Sequence, residues 1–172
     1  KGNREQFVHM SRRLLKEVQA LARDPTPDGI TLVHDDSDSD SQSDGDKLNL
    51  GEVRIAISVP ANQIYADSLA KPYILRFVFS EAQDYPFSPP QVLFATSNVP
   101  LHPHIYSNGH ICLDVLYDEW TPVQTILSVA LSVQSMLSSN TKLERPVDDQ
   151  EHCRHAPANP QKSRWVFHDN TV

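Results

Sequence analysis

The chain has 172 residues, 39% hydrophobic and 22% charged, a length and composition that suit one globular domain with its own core plus some tail. No apolar run approaches the roughly 18–20 residues that span a bilayer, and the polar start lacks the apolar stretch of a secretion signal, so no membrane is expected and a cytosolic or nuclear setting is. The formal net charge is -7, but residues 34–46 hold six aspartates and no lysine or arginine, which leaves -1 for the rest, and no basic stripe points to nucleic acid.

In chain order, Phe7, Met10, Leu14, Val18 and Leu21 recur at spacings of 3, 4, 4 and 3, one apolar stripe of an amphipathic helix. The helix is expected to end near Arg23, because Asp24-Pro25-Thr26-Pro27-Asp28-Gly29 is dense turn chemistry. Residues 30–33 make a short strand. The acidic segment 34–46 has nothing apolar to bury and reads as a solvated loop insertion. Its serines 37, 39, 41 and 43 are candidate phosphorylation sites, whereas its Asp-x-Asp spacing lacks the downstream Glu of a calcium loop. Val53, Ile55, Ile57 and Val59 alternate with more polar residues, the pattern of a strand with one buried face. Residues 73–79 and 91–96 are two further strands. The linkers between strands are short and polar or contain proline, which favours an antiparallel meander over parallel crossovers.

Residues 97–120 show little periodicity, and a stretch this long without regular structure in a compact domain usually carries function. A helix is then predicted with Thr121 as N-cap, Pro122 at the first helical position and Gln124 completing a capping box. Val123, Ile126, Leu127, Ala130, Leu131 and Leu137 would form its apolar face, with Ser128, Ser132 and Ser135 letting it pack closely on a sheet. After Asn140 the chain is irregular and rich in proline and histidine, and Trp165, Val166 and Phe167 are apolar enough to dock.

Two cysteines, Cys112 and Cys153, suit a reducing compartment better than a disulfide scaffold. Cys112 lies between Ile111 and Leu113, outside any predicted regular element. That context fits a small buried hydrophobe, and equally a nucleophile on a loop held by a rigid scaffold. Four zinc ligands from His102, His104, His110 and Cys112 are a further reading, although the spacings are not those of the common fingers. A hydrolase pairing Cys112 with His110 or His102 is another.

Tyr85-Pro86-Phe87-Ser88-Pro89-Pro90, His102-Pro103-His104, Asn108-Gly109-His110-Ile111-Cys112-Leu113 and Trp120-Thr121-Pro122 resemble, in order and spacing, the ubiquitin-conjugating enzymes. The likeness covers about residues 7–139. Residues 99–113 and the ending 159–169 resemble the W-type branch of that family, which has His where most members have Asn in the His-Pro-Asn motif, here His104. The chain departs from the family in its acidic insertion, in Ala66-Asp67-Ser68-Leu69 where a Gly-rich turn is usual, and in Val123 where Ala is common. Asp114 is nearer the general family than the W-type.

The resemblance implies an α+β fold: N-terminal helix, four-stranded antiparallel meander, active-site loop, central helix, and an irregular or helical C-terminal tail. Residues 1–140 would be the catalytic core, with 141–172 a C-terminal extension of the same domain. It further implies a thioester carrier that receives ubiquitin on Cys112 from an activating enzyme and passes it to a substrate amine, protein N-termini included. His104 would stabilise the oxyanion or order the loop, and His102 and Asp114 are further candidate catalytic residues. Ligase domains of the RING or U-box type would contact Arg12, Arg13, Phe87, Pro122 and Val123. No metal or cofactor is implied, since ATP is used by the activating enzyme. Carriage of another ubiquitin-like modifier, and a non-catalytic binding module of the same fold, are the alternatives.

Overall fold

The structure is a computed structural model that describes residues 2–33, 51–80 and 84–165, with the side chains of the first helix described from Arg12 onward. The acidic segment 34–46, the stripe side chains Phe7 and Met10, and Val166 and Phe167 lie outside the described residues.

Helix α1 runs Gly2–Arg23 and ends where the sequence turns to Asp and Pro. Leu14, Val18 and Leu21 of the predicted stripe are buried. Four strands follow, β1 (Ile30–Leu32), β2 (Glu52–Ile57), β3 (Tyr73–Val78) and β4 (Gln91–Phe94), paired antiparallel in the order β1-β2-β3-β4. The pairing is the expected meander. The register aligns the buried rows, Val53 with Phe77, Ile55 with Leu75, Leu75 with Phe94 and Phe77 with Val92, so that one face of the sheet is continuously apolar. On the other face Glu52 receives Arg76 at 2.7 and 2.9 Å and Arg54 at 2.8 Å, and these guanidinium bonds, Arg76 first, hold its carboxyl down to about 2.

Helix α2 (Ile126–Ser138) lies on the apolar face, with Ile126, Val129, Ala130, Val133 and Leu137 buried in one cluster with the strand rows and α1. Each large apolar side chain buried here contributes roughly 1.5–3 kcal/mol. The helix starts one turn later than the sequence reading has it. Thr121 and Gln124 close a β-turn, and the capping box is the next one along: Thr125 Oγ1 accepts from Ser128 N at 3.0 Å, and Ser128 Oγ accepts from Thr125 N at 2.8 Å. The sequence holds both Thr-x-x-polar spacings. The second prevails because it buries Ile126 and lets the Glu17 carboxylate of α1 accept the Ile126 N–H at 2.9 Å. The expected apolar face shifts accordingly: Val123 is 80% exposed, Leu131 is exposed, and Val129 and Val133 take their places. Ser128 caps the helix instead of easing close packing, and Ser135 is exposed.

Beyond Asn140, a short helix α3 (Asp149–His155) and a 3₁₀ turn (Pro160–Lys162) lie against the loop between β4 and α2. Sequence periodicity does not pick out α3, which buries no residue completely. Among the described residues no helix is long and apolar enough to cross a membrane.

Candidate active site

The loop from Ala95 to Gln124 is built from tight turns tied to the edge of β4. Tyr106 and Gly109 close a turn, Gly109 N donating to Tyr106 O and Tyr106 N to His110 O, both at 2.9 Å. Gly109 has φ +90°, and a Cβ there would stand 2.2 Å from the Phe94 carbonyl oxygen, so glycine is required on two counts. The carbonyl of Gly109 accepts from Phe94 N at 2.9 Å, which fixes the turn to β4. Ile105 and Ile111 pair across it and are fully buried. Cys112 follows at once, half-buried, its N–H donating to His104 O at 2.8 Å.

His102 lies beneath this arrangement, 4% exposed. Its Nδ1 accepts from His104 N at 2.9 Å, and its other nitrogen bonds the Met136 carbonyl of α2. That assigns the proton to Nε2. Burial first, and His104 second, hold the ring down to about 4, so it is neutral near pH 7. His102 therefore braces the backbone of His104, which is itself exposed.

The Cys112 thiol is pushed up to about 11, by burial first, then by the Asp148 and Asp114 carboxylates. Asp114 accepts from Val115 N at 2.7 Å and opens a 3₁₀ turn (Asp114–Leu116); its charge opposes ionisation of the thiol. Both cysteines are free. Among the described residues no group of three or more His, Cys, Asp and Glu side chains is arranged to hold a metal ion, so the four-ligand zinc reading finds no such cluster.

Several residues that organise the loop carry no signal in sequence. Arg145 donates to three of its carbonyls, Pro100, Ile105 and Val99, the latter two at 3.0 and 3.1 Å. Tyr65 reaches Leu101 O, Tyr117 reaches Ile111 O, and Gln161 donates to both Pro90 O and Leu116 O. Asp148 accepts from the Tyr106 hydroxyl at 3.1 Å, which sets it near the thiol. A lone Arg or Asp in an irregular tail has no periodicity to reveal it.

The candidate ligase residues occupy a second region. Phe87 is 70% exposed and is therefore not packed beneath the Pro-rich turn. It follows a cis Tyr85-Pro86 bond, with Trp120 Nε1 donating to Pro86 O at 2.8 Å. Arg12, Pro122 and Val123 are exposed. Arg13 is partly engaged, paired with Glu17 and reaching Gln124 O at 3.5 Å. These bonds join α1, the Phe87 turn and the turn at Pro122 into one rim.

A sequence model described as ubiquitin-conjugating enzyme matches residues 13–165. With the meander, the braced thiol loop and that match together, the chain belongs to the ubiquitin-conjugating enzyme family, transferases that carry their cargo as a thioester. Within the family its likeness is to the W type. It is 38% identical to ubiquitin-conjugating enzyme E2 W of Caenorhabditis elegans, over 94% of this chain and 97% of that one. It is 39% identical to the probable E2 W-A of Danio rerio, over 96% and 99%. The crystal structure of the E2 enzyme UbcA1 from Agrocybe aegerita superposes with a TM-score of 0.73 at 39% identity, covering 88% of this chain and 97% of that one.

Proposed function

We propose that Cys112 is the residue that accepts ubiquitin as a thioester from an activating enzyme, and that its acceptors include protein N-terminal α-amino groups. The observation that carries this reading is a half-buried thiol whose backbone N–H is bonded to the carbonyl of the exposed His104, on a loop whose backbone is fixed by Gly109, His102 and Arg145. In the acyl step the thiolate displaces the activating enzyme's thiol. In the transfer step a neutral amine attacks the thioester carbonyl, and the oxyanion that develops wants a hydrogen-bond donor, which the His104 imidazole can supply. An α-amino group has a pKa of about 7.7–8.0 against about 10.4 for lysine, so near pH 7.5 an N-terminus is substantially neutral without a base to deprotonate it. The reading includes a reducing compartment, cytosolic or nuclear, where a carrier thiol stays reduced. It also includes RING or U-box ligases seated on the rim of Arg12, Arg13, Phe87, Pro122 and Val123.

The test is a charging and discharge assay with ubiquitin, an activating enzyme and ATP, run on reducing and non-reducing gels. A single reducible adduct is expected, absent from Cys112→Ala. Discharge onto a substrate with a flexible N-terminus should survive removal of its lysines and fail after N-terminal acetylation. An adduct that persists in Cys112→Ala would refute the nucleophile. His104→Asn is expected to alter the ratio of α-amine to lysine transfer, and an unchanged ratio would remove His104 from the reading.

A further inference from the structure

His152 on α3 lies flat on Tyr106, ring centroids 3.8 Å apart and 26° between planes. Trp165 flanks the same stack, 5.3 Å from His152 and 4.7 Å from Tyr117. At its centre His152 Nε2 stands 3.1 Å from His110 Nδ1. The other nitrogen of His110, 2% exposed under the C-terminal segment, bonds the Ala158 carbonyl and must carry a proton to do so. Neutral His110 therefore offers a lone pair at Nδ1 and His152 supplies the N–H.

We propose that the His110–His152 pair is a proton-sensitive clasp that fastens α3 and the following segment, through Trp165, against the loop from Ala95 to Gln124. The closed pair has room for one proton between the two facing nitrogens. Two imidazolium rings would point N–H at N–H across 3.1 Å, a contact that neither rotation nor a change of tautomer relieves while the stack holds. With the segment undocked, each ring is free to take its own proton near the ordinary value of 6.5.

The groups facing the pair are Asp148 just before α3 and Asp149 at its start, Tyr106 and His110 from the loop with Cys112 close by, Tyr117 from the turn after it, Trp165 from the tail, and Arg145, which acts on Asp149 and Cys153. Burial lowers both histidines, and Asp148 and Asp149 only partly offset this at His152. The open state thus binds more protons than the closed one. Closure is complete above about pH 6.5 and is lost as pH falls below it, by up to roughly tenfold per pH unit for each proton taken up on opening. His110 and His152 are thereby positioning residues, acting on the thiol through Tyr106 and Asp148. The clasp does not depend on which residue carries ubiquitin; only its effect on transfer rests on Cys112 doing so.

The experiment is hydrogen–deuterium exchange on the full chain at pH 7.5 and 5.5, corrected for intrinsic exchange, with helix α2 (residues 126–138) as the internal standard. Exchange across residues 149–165 is expected to rise roughly tenfold at pH 5.5 in the wild type. His152→Gln should rise less than twofold, because its amide can donate to neutral His110 or accept from the protonated ring. His152→Phe keeps the stack but turns an apolar ring toward His110 Nδ1, which then has no acceptor once protonated, so its exchange should still rise at pH 5.5. A wild-type rise no larger than that of α2 would overturn the proposal, as would a rise of wild-type size in His152→Gln. Cys112→Ala should leave the wild-type pattern intact, which separates failure of the clasp from failure of the nucleophile assignment.

Discussion

The meander and the loop from Ala95 to Gln124 are both ordered, by opposite means. The sheet is held by apolar rows in register, Val53, Ile55, Leu75, Phe77, Val92 and Phe94, each serving as packing partner to the next. The loop has few such residues, Ile105 and Ile111 chief among them, and its backbone carbonyls are taken up by Arg145, Tyr65 and Gln161 from distant parts of the chain and by Tyr117 from within the loop. Buried carbonyls without partners cost free energy, so a segment that cannot join a ladder has to recruit donors one at a time. The contrast shows that this protein separates stability from placement: the sheet and α2 supply most of the free energy, and polar side chains decide where the thiol stands.

The sharpest break of that contrast is Phe77→Ala. It should cost about 3–5 kcal/mol in urea unfolding, with the alkylation rate of Cys112 in the folded fraction unchanged. Arg145→Ala should cost less, roughly 2–4 kcal/mol, yet raise amide exchange across residues 99–106 while the sheet stays protected. Equal loosening of sheet and loop in that variant would dissolve the distinction. The smallest effect concerns the thiol alone. With Cys112 held up to about 11, its alkylation rate should climb about tenfold per pH unit from 7 to 9 without a plateau. Asp148→Asn removes one of the opposing charges and should speed alkylation at pH 7.5 roughly threefold with little change in stability. A slower rate in that variant would mean that the carboxylate assists the thiol.

Much of the fold is legible in the sequence because its signals are periodic. The α1 stripe through Leu14, Val18 and Leu21 and the alternation of Val53, Ile55 and Ile57 survive in the structure as buried faces. The start of α2 is misread from sequence because two capping boxes compete locally, and the choice between them falls to a carboxylate on α1, 109 residues away from Ile126. At the site, Cys112, His102, His104 and Asp114 stand in a short motif and lie together. Arg145, Asp148 and His152 stand in none, since each acts across roughly forty residues by a contact that spacing cannot encode.

By itself the sequence determined α1, the strands and the family, and it offered Cys112 as the candidate thiol, because hydrophobic period, turn chemistry and a dense local motif are properties of neighbouring residues. Only the tertiary structure decided that His102 is a neutral brace, that Phe87 stands out into solvent, and that the C-terminal segment closes against the loop. Burial, tautomer and charge at those positions depend on which distant groups arrive beside them, and folding alone brings them there.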